Sequence, residues 1–385
     1  MSDKAASPPA ERAPSPKAKS KSPSPPADAP EEAAPEAAPE AAPAPAALPA
    51  NHWAQFNRDD DDDDNTDADS TLGNDVESST ASISSSILRY RTLHGRTYHS
   101  ERGDAQYWGA NDDRHNNSLD MLHHVFTLCL DDKLCLAPIG NIDLKKAVDI
   151  GTGTGIWAID FADAHPEAKV VGTDISPIQP TWVPPNISFE IEDFTQPWTF
   201  DDNSVNYVHA RYLVGSVPNW DHMAKQAYRT LAPGGYFESY EASPNLQSDD
   251  NSLALDSAIA QWGPLFYEGG KKIGHTFRVL EDNLQVKAFE AAGFVDIQTR
   301  DIKCPFGNWP ADAAQRAIGE IGEMATMSDL EGFILFMTNI LDWSREDIIM
   351  YQMQLRKEVK KRTAHPYYRQ RVVWGRKPED AAAEA

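Results

Sequence analysis

The sequence has 385 residues, with 35 Lys and Arg against 59 Asp and Glu, which gives a formal net charge of -24 at pH 7. Both the first 85 residues and the remainder are acidic, so direct nucleic-acid binding is disfavoured, because a phosphate backbone needs a basic surface. Three cysteines without a C-x-x-C pair indicate neither structural zinc nor a disulfide scaffold, and we expect reduced thiols, no bound metal, and residence in the nucleus or cytoplasm.

The first 86 residues have the composition of a disordered tail. Residues 1–50 are dominated by alanine and proline, which bury too little apolar surface to offset the entropy lost on ordering. The run from Asp59 to Asp64 follows within a Ser, Thr and Asp-rich stretch, where self-repulsion keeps a chain extended. No apolar run approaches the length of a membrane span, and no secretory signal pattern is evident. We predict disorder over 1–86 and 379–385, and no membrane contact.

From residue 87 onward, aliphatic and aromatic residues recur at regular spacing, which predicts a folded domain over 87–378. A helix is predicted over 118–134, with Asn117 or Ser118 as its cap. Strands and helices then alternate, which is typical of an α/β fold with a mostly parallel sheet covered on both faces. Strands are predicted at 145–150, 168–176, 187–193, 204–214 and 234–242, after Gly293, and at 367–378, with helices at 155–165, 221–232 and 284–292.

Two more helical patterns, 313–327 and 328–361, lie between the last two predicted strands. We interpret them as an insertion over about 305–366 that forms part of a lid. Ligands in sheets of this kind bind beyond the carboxyl ends of the strands, near the point where strand order reverses. The insertion is therefore expected to cover that end of the sheet.

The stretch AVDIGTGTGIWAIDFA, residues 147–162, has the pattern of a nucleotide-binding loop. Gly151, Gly153 and Gly155 follow a strand and open a helix, but Ile156 stands where a dinucleotide fingerprint has its third glycine. S-adenosylmethionine is the alternative ligand, because a glycine turn lets the backbone approach its methionine part and Asp149 can orient the loop or the amino group. Its positive sulfonium also suits an acidic pocket.

Two further strand ends carry candidate cofactor-binding residues, and the second of them discriminates between the two cofactors. Asp174, followed by Ile175, ends the next strand, where a carboxylate can accept hydrogen bonds from ribose hydroxyls of either cofactor. Asp193 and Phe194 follow the third strand, where the carboxylate can accept from the adenine amine and the ring can pack on the base. An acidic residue before an aromatic is typical of methyltransferases. The sequence therefore predicts an S-adenosylmethionine site and disfavours a nicotinamide oxidoreductase.

Beyond these motifs, the chain resembles the LaeA-like class I methyltransferases of filamentous fungi over about residues 86–378. The resemblance is carried by segments such as VDIGTGTGIWAIDFA, VHARYLVGSVPNW, YRTLAPGGYFESYE and HPYYRQRVVWGRKP. It implies a Rossmann-like α/β domain whose sheet has seven strands, mostly parallel, with a terminal antiparallel strand. Members of the group are regulators of secondary metabolism and development, some in nuclear complexes with velvet proteins, or tailoring enzymes that methylate small metabolites.

The motifs and the resemblance together nominate a set of cofactor-binding residues: Asp149, Gly151, Thr152, Gly153, Gly155, Asp174, Ile175, Asp193, Phe194, His209 and Arg211. The methyl acceptor, a small molecule or a protein, is not identified. A rival interpretation is a regulatory scaffold that keeps the cofactor fold but acts mainly by binding partner proteins.

Methyl transfer mainly requires alignment of the acceptor with the sulfonium, so a catalytic base is helpful but not obligatory. The candidates are His123 and His124 on the helix before the glycine loop and Glu241 after the fifth strand. Because neighbouring helical residues point about 100° apart, at most one of the histidines faces a pocket. Packing or surface exposure is the alternative role for each candidate. The aromatic residues Tyr107, Trp108 and Trp309 are either walls of an acceptor pocket or part of the core.

Overall fold

A computed structural model describes residues 45–58, 90–99 and 107–379. The described strands are β1 Arg91–Leu93, β2 Arg96–Tyr98, β3 Lys146–Ile150, β4 Lys169–Asp174, β5 Ile187–Ile191, β6 Val205–Arg211, β7 Leu231–Gln247, β8 Val295–Pro305 and β9 Tyr367–Arg376. The described α-helices are α1 Asp113–Cys129, α2 Ile156–Ala164, α3 Trp220–Thr230, α4 Trp262–Ile273, α5 Leu284–Ala292, α6 Ala313–Ser328, α7 Leu330–Ile340 and α8 Arg345–Lys361.

Seven of these strands form one sheet in the order β5-β4-β3-β6-β7-β9-β8, and β1 and β2 form a separate hairpin. β3 pairs in parallel with β4 and with β6, whereas β9 runs antiparallel to both of its neighbours. This confirms the predicted seven-stranded, mostly parallel sheet. The chain moves outward from β3 to β5 and then returns to β6, so strand order reverses between β3 and β6. A ligand crevice is expected at the carboxyl ends of these two strands.

The central strands are apolar along both faces because each face supports its own core. Ala147 and Tyr207 pack with α2 on one face, while their neighbours Val148 and Val208 belong to the larger core on the other face. Successive side chains of a strand point to opposite faces, so a strand buried on both sides must be continuously apolar. The adjacent apolar pairs Ala147-Val148 and Tyr207-Val208 therefore indicate burial on two faces.

The helix before the glycine loop begins earlier and ends earlier than predicted. α1 starts at Asp113, and the side chain of the capping residue Asp112 accepts a hydrogen bond from the backbone N–H of His115. The predicted caps at Asn117 and Ser118 are wrong, because the acidic cap already satisfies the first turn. The helix ends at Cys129, so the predicted extension to residue 134 is also wrong.

Three helices, rather than the two predicted, lie between β8 and β9, and we call α6, α7 and α8 the helical insertion. The predicted helix over 328–361 is interrupted because Ser344 starts α8 with a capping box. The Ser344 side chain accepts from the backbone N–H of Asp347, and the Asp347 carboxylate accepts from the backbone N–H of Ser344. Such reciprocal bonds mark the beginning of a helix.

Part of the predicted tail is ordered. Residues 50–58 form a 3-10 helix in which Trp53 is 1% exposed and packs edge-on against Tyr351 of α8, with ring centroids 5.0 Å apart. The backbone N–H of Leu48 also donates to the side chain of Gln261 at 2.8 Å. The predicted disorder is therefore wrong for residues 45–58, because an aromatic anchor binds this segment to the insertion. The remainder of the predicted tail, 1–44 and 59–86, and residues 380–385 lie outside the described residues.

A buried ion-pair network joins the hairpin, α1 and the insertion. Asp329, fully buried between α6 and α7, accepts hydrogen bonds from Arg96 at 2.8 Å and from His115 at 3.0 Å. Burial alone would raise the pKa of Asp329, but the bonds from His115 and Arg96 lower it to about 2. Asp329 is thus a charged group whose partners come from two separate elements.

Residues 45–58, 90–99 and 107–379 contain neither a membrane-spanning helix nor a candidate metal cluster. No helix there is long and apolar enough to cross a bilayer. No three His, Cys, Asp or Glu side chains in those ranges are grouped to hold a metal ion.

Candidate active site

A cleft opens at the carboxyl ends of β3, β4 and β6 and contains about 1000 Å³ of empty space, its open mouth included. The glycine loop, the end of β4 and the end of β6 form one wall, and α1 forms another. The predicted cofactor residues that line the cleft are Gly151, Thr152, Gly153, Asp174, Ile175, Phe194 and Arg211. The remaining predicted residues, Asp149, Gly155, Asp193 and His209, are not part of its lining.

The glycine loop adopts a backbone conformation that is unfavourable for residues other than glycine. Gly151, Gly153 and Gly155 have φ angles of +66°, +59° and +82°, in the left-handed region that favours glycine. A Cβ added at Gly151 would also lie 2.5 Å from the side chain of Leu213. The loop can therefore pass close to a ligand, and its first glycine has no room for a side chain.

Asp149 and His209 support the loop from beneath the cleft. The buried carboxylate of Asp149 accepts from the hydroxyl of Thr152 at 2.6 Å and from Nδ1 of His209 at 2.8 Å. The His209 ring stacks on Trp157 with centroids 3.6 Å apart, and burial lowers the pKa of His209. Of the two roles that the sequence offered for Asp149, the observed contacts favour orienting the loop.

Asp174 lies at the end of β4 and faces the cleft. Its two carboxylate oxygens accept backbone N–H bonds from Gly153 at 2.8 Å and from Ser176 at 2.9 Å. Burial raises the pKa of Asp174 to about 6. Because each carboxylate oxygen offers about two acceptor positions, both still have capacity for a ligand hydroxyl.

Asp193 and Phe194 follow β5 at the edge of the cleft. One carboxylate oxygen of Asp193 accepts from the backbone N–H and the hydroxyl of Thr195, at 2.9 and 2.6 Å. The other oxygen is buried and has no hydrogen-bond partner among the residues that the structure describes. A buried acceptor without a partner is costly, so this oxygen is suited to a donor supplied by a ligand.

Arg211, His123 and Asp160 form a hydrogen-bonded chain at the side of the cleft. Arg211 donates to Nδ1 of His123 at 2.9 Å, so the ring proton is on Nε2, which donates to Asp160 at 2.9 Å. Burial and the nearby Arg211 cation lower the pKa of His123 to about 4. His123 is therefore neutral at physiological pH with both nitrogens engaged, and it positions Arg211 rather than accepting a proton.

The other proposed bases do not line the cleft. His124 is exposed on the outer face of α1, as expected if only one of the adjacent histidines faces inward. Glu241 is fully buried and accepts from the backbone N–H of Leu213 at 3.1 Å, and burial raises its pKa to about 8. The predicted catalytic role is therefore wrong for both residues, because His124 faces solvent and Glu241 binds the backbone of a turn.

The three aromatic candidates occupy three different places in the structure. Tyr107 lines the cleft, and Trp108 lines a neighbouring cavity. Trp309 lies elsewhere, 37% exposed, with its ring N–H donating to the carbonyl of Pro366 at 2.9 Å. The proposed role of Trp309 in an acceptor pocket is thus wrong, because its contacts are to the chain just before β9.

Sequence reasoning missed several polar residues of the cleft. Asn111 and Ser216 are each 6% exposed, line the cleft, and carry side-chain atoms without partners within the described part of the chain. Buried groups of this kind mark positions where a polar ligand completes the hydrogen bonding. Ser216 follows the fourth sheet strand, which is a weak positional signal, whereas no motif marks Asn111.

These groups fit S-adenosylmethionine. Arg211 would supply a cation for its carboxylate, and Asp174 would supply acceptors for its ribose hydroxyls. The unpartnered oxygen of Asp193, the neighbour of the lining residue Phe194, would supply an acceptor for its adenine amine. Phe194 offers a ring face to the base. The loop from Gly151 to Gly155 leaves the backbone accessible, so the donor set and the ligand agree in charge and in hydrogen-bonding character.

Comparison with known proteins supports the same conclusion. A model of the methyltransferase domain matches residues 121–299. Methyltransferase pytC of Aspergillus terreus is 36% identical over 306 residues, covering 79% of this chain and 93% of that protein. Secondary metabolism regulator laeA of Aspergillus fumigatus is 32% identical over 292 residues, covering 74% and 76%. Protein-methionine methyltransferase laeA of Emericella nidulans is 28% identical over 297 residues, covering 75% and 77%. The chain therefore belongs to the LaeA-like methyltransferases of filamentous fungi, and S-adenosylmethionine is its cofactor.

Proposed function

We propose that the protein transfers a methyl group to an acceptor of fungal secondary metabolism, with Asp174, Asp193 and Arg211 holding the methyl donor. The observation that carries the proposal is the convergence of a cation and a strand-end carboxylate on one glycine-lined cleft. The similarity to pytC and laeA supports the metabolic setting. The acceptor is either a small molecule or a protein side chain.

S-adenosylmethionine, when bound, supplies a methyl group activated by a positively charged sulfur. The acceptor's nucleophilic atom forms a bond to the methyl carbon, and the carbon–sulfur bond breaks with its electron pair remaining on sulfur. His123 has both nitrogens engaged and Glu241 binds backbone, so neither takes the acceptor's proton. Where the acceptor carries a proton, that proton passes to water at the cleft mouth. The protein's contribution is alignment and exclusion of bulk water.

Calorimetry with S-adenosylmethionine and with NAD tests the donor site. We expect the former to bind and NAD not to bind. Replacement of Arg211 by Met removes the cation and should weaken binding by about tenfold or more, since charge-assisted bonds contribute roughly 1.5–3 kcal/mol. Arg345→Met, on the exposed surface of α8, is the matched control and should bind normally. Binding of NAD in place of S-adenosylmethionine would refute the proposal.

A regulatory scaffold is the second candidate, and the similarity to the secondary metabolism regulator laeA of Aspergillus fumigatus favours it. In this form the protein acts in the nucleus with velvet-type partners, rather than in the cytoplasm on a metabolite. Labelled S-adenosylmethionine should mark a product in the presence of wild-type protein but not of Gly151→Val. Partner capture that is equal for both proteins, with no labelled product from either, would favour the scaffold. A fluorescent tag on the full chain distinguishes nuclear from cytoplasmic residence.

A further inference from the structure

A second cavity, which we call the apolar chamber, lies beside the cofactor cleft and beneath the helical insertion. It contains about 680 Å³ of empty space, its opening to solvent included. Its main aromatic walls are Trp108, Trp262, Phe266, Phe277 and Phe333. The chamber and the cleft share Leu122, Phe126 and Tyr212, so the two spaces adjoin at these side chains.

The lining of the apolar chamber offers no charge to a ligand. Among the described residues that line it, none is Asp, Glu, Lys, Arg or His. Two of its polar groups are bonded within the protein: the ring N–H of Trp108 donates to the carbonyl of Val214 at 2.8 Å, and the hydroxyl of Tyr240 donates to the lining residue Gln370. A charged ligand would lose its hydration there without gaining a counter-charge. The chamber therefore favours an uncharged occupant.

The side chains that line the apolar chamber are mostly buried. Trp108 and Phe333 are each 2% exposed and Phe277 is 1% exposed. Gly322 and Thr326 of α6 and Phe333 of α7 contribute lining from the insertion. An apolar space with few polar groups, beside a methyl-donor cleft, is a ligand site by the usual criterion.

Tyr212 stands where the two spaces meet and has an unusual backbone. Its φ is +58°, which is uncommon for a bulky residue, and its N–H donates to the carbonyl of Tyr240 at 2.9 Å. Its ring packs on Phe126 with centroids 5.5 Å apart. Backbone strain of this kind persists where the surrounding structure holds it, often at ligand sites.

We propose that the apolar chamber binds the methyl acceptor, and that this acceptor is an uncharged, largely apolar small molecule. Its nucleophilic atom lies at the boundary with the cofactor cleft, where Phe126 and Tyr212 line both spaces. The inference rests on the proposed methyltransferase function and adds the acceptor's chemical class. The bond changes are those given above: the acceptor atom bonds to the methyl carbon, the carbon–sulfur bond breaks toward sulfur, and any acceptor proton leaves to water.

The test fills the apolar chamber without disturbing the donor site. A Cβ added at Gly322 would meet Pro305 at 3.9 Å and Val125 at 4.0 Å, which are ordinary contacts with two other lining residues. Gly322→Leu should therefore fold and occupy the chamber. Ala317→Leu adds the same side chain on the exposed face of the same helix and is the matched control.

Calorimetry is carried out with the donor site saturated by S-adenosylhomocysteine, so that it is closed to the probes. The probes are 2-naphthol, an uncharged bicyclic alcohol, and 2-naphthoate, its charged counterpart. We expect 2-naphthol to bind the wild type and Ala317→Leu alike, and to bind Gly322→Leu at least about tenfold more weakly because the space is filled. We expect 2-naphthoate to bind the wild type at least about tenfold more weakly than 2-naphthol, because its charge is not compensated.

Three results would overturn the acceptor proposal: no binding of 2-naphthol to the wild type, equal binding of 2-naphthol to Gly322→Leu, or binding of 2-naphthoate as tight as that of 2-naphthol. Transfer of labelled methyl to protein that is undiminished in Gly322→Leu would also overturn it, in favour of a protein acceptor. Failure of S-adenosylhomocysteine to bind the wild type is a separate result, which refutes the proposed donor site itself.

Discussion

The donor cleft and the apolar chamber adjoin at Phe126 and Tyr212 but are built by different means. The cleft combines a glycine turn and polar groups at neighbouring strand ends, which the sheet positions, with one wall formed by α1. The chamber consists of aromatic side chains from separate elements, closed by the helical insertion. The difference implies that relatives can change the acceptor by changing the insertion, while the donor site stays the same.

The largest loss of stability is expected from removing the buried ion pairs that join the insertion to α1 and to the β1–β2 hairpin. Asp329→Asn removes the fully buried partner of Arg96 and leaves it only Asp112, whose side chain is 25% exposed, so the free energy of unfolding should fall by about 4 kcal/mol. Asp342→Asn, whose carboxylate is exposed and pairs with Lys272 at 2.9 Å, should cost less than about 1 kcal/mol. Chemical denaturation measures both. Equal losses for the two variants would contradict the structural role of the buried network.

Removing the aromatic anchor of the N-terminal segment should destabilise the insertion side without affecting donor binding. Trp53→Ala leaves a cavity against Tyr351 and should lower the free energy of unfolding by about 3 kcal/mol. Phe56→Ala, on the same short helix but 42% exposed, should cost below about 1 kcal/mol. Thermal unfolding with and without S-adenosylmethionine provides the measurement. A loss of donor affinity in the folded Trp53→Ala variant would contradict the independence of the donor cleft from the insertion side.

A change confined to the glycine loop should instead reduce donor binding. Gly151→Val places a branched side chain at φ +66° and against Leu213, and donor affinity should fall more than about 100-fold, or roughly 2.7 kcal/mol. Gly140→Ala, where an added Cβ meets nothing within 4 Å, is the control and should bind normally. Calorimetry measures the affinities. Normal binding by Gly151→Val would show that the loop does not approach the donor.

The smallest effect concerns the protonation of Asp174. Its pKa is raised to about 6, so the carboxyl is mostly charged at pH 7.5 and becomes neutral as pH falls through that value. If only the charged form binds the ribose hydroxyls, the dissociation constant for S-adenosylmethionine should rise about fourfold between pH 7.5 and 5.5. In Asp174→Asn the affinity should be lower and should not change over this range. The same slope in both proteins would assign the pH dependence to another group.

The parts of this protein that the sequence alone determined are those that depend on local geometry. Strands that alternate with helices predicted the α/β sheet, because parallel strands need crossover connections between them. Three glycines between a strand and a helix predicted the loop, and the carboxylates that follow β4 and β5 were predicted beside it. Parallel strands end at one edge of the sheet, so these residues meet whatever the rest of the chain does.

The tertiary structure alone decided the features that depend on packing between distant segments. Adjacent histidines could not be told apart until α1 was placed, with His123 inward and His124 in solvent. Glu241 resembled a base until its backbone partner was located. The burial of Trp53 and the existence of the apolar chamber depend on how the insertion folds back over the sheet. Contacts between residues hundreds of positions apart leave no periodic pattern in the sequence, so only the fold reveals them.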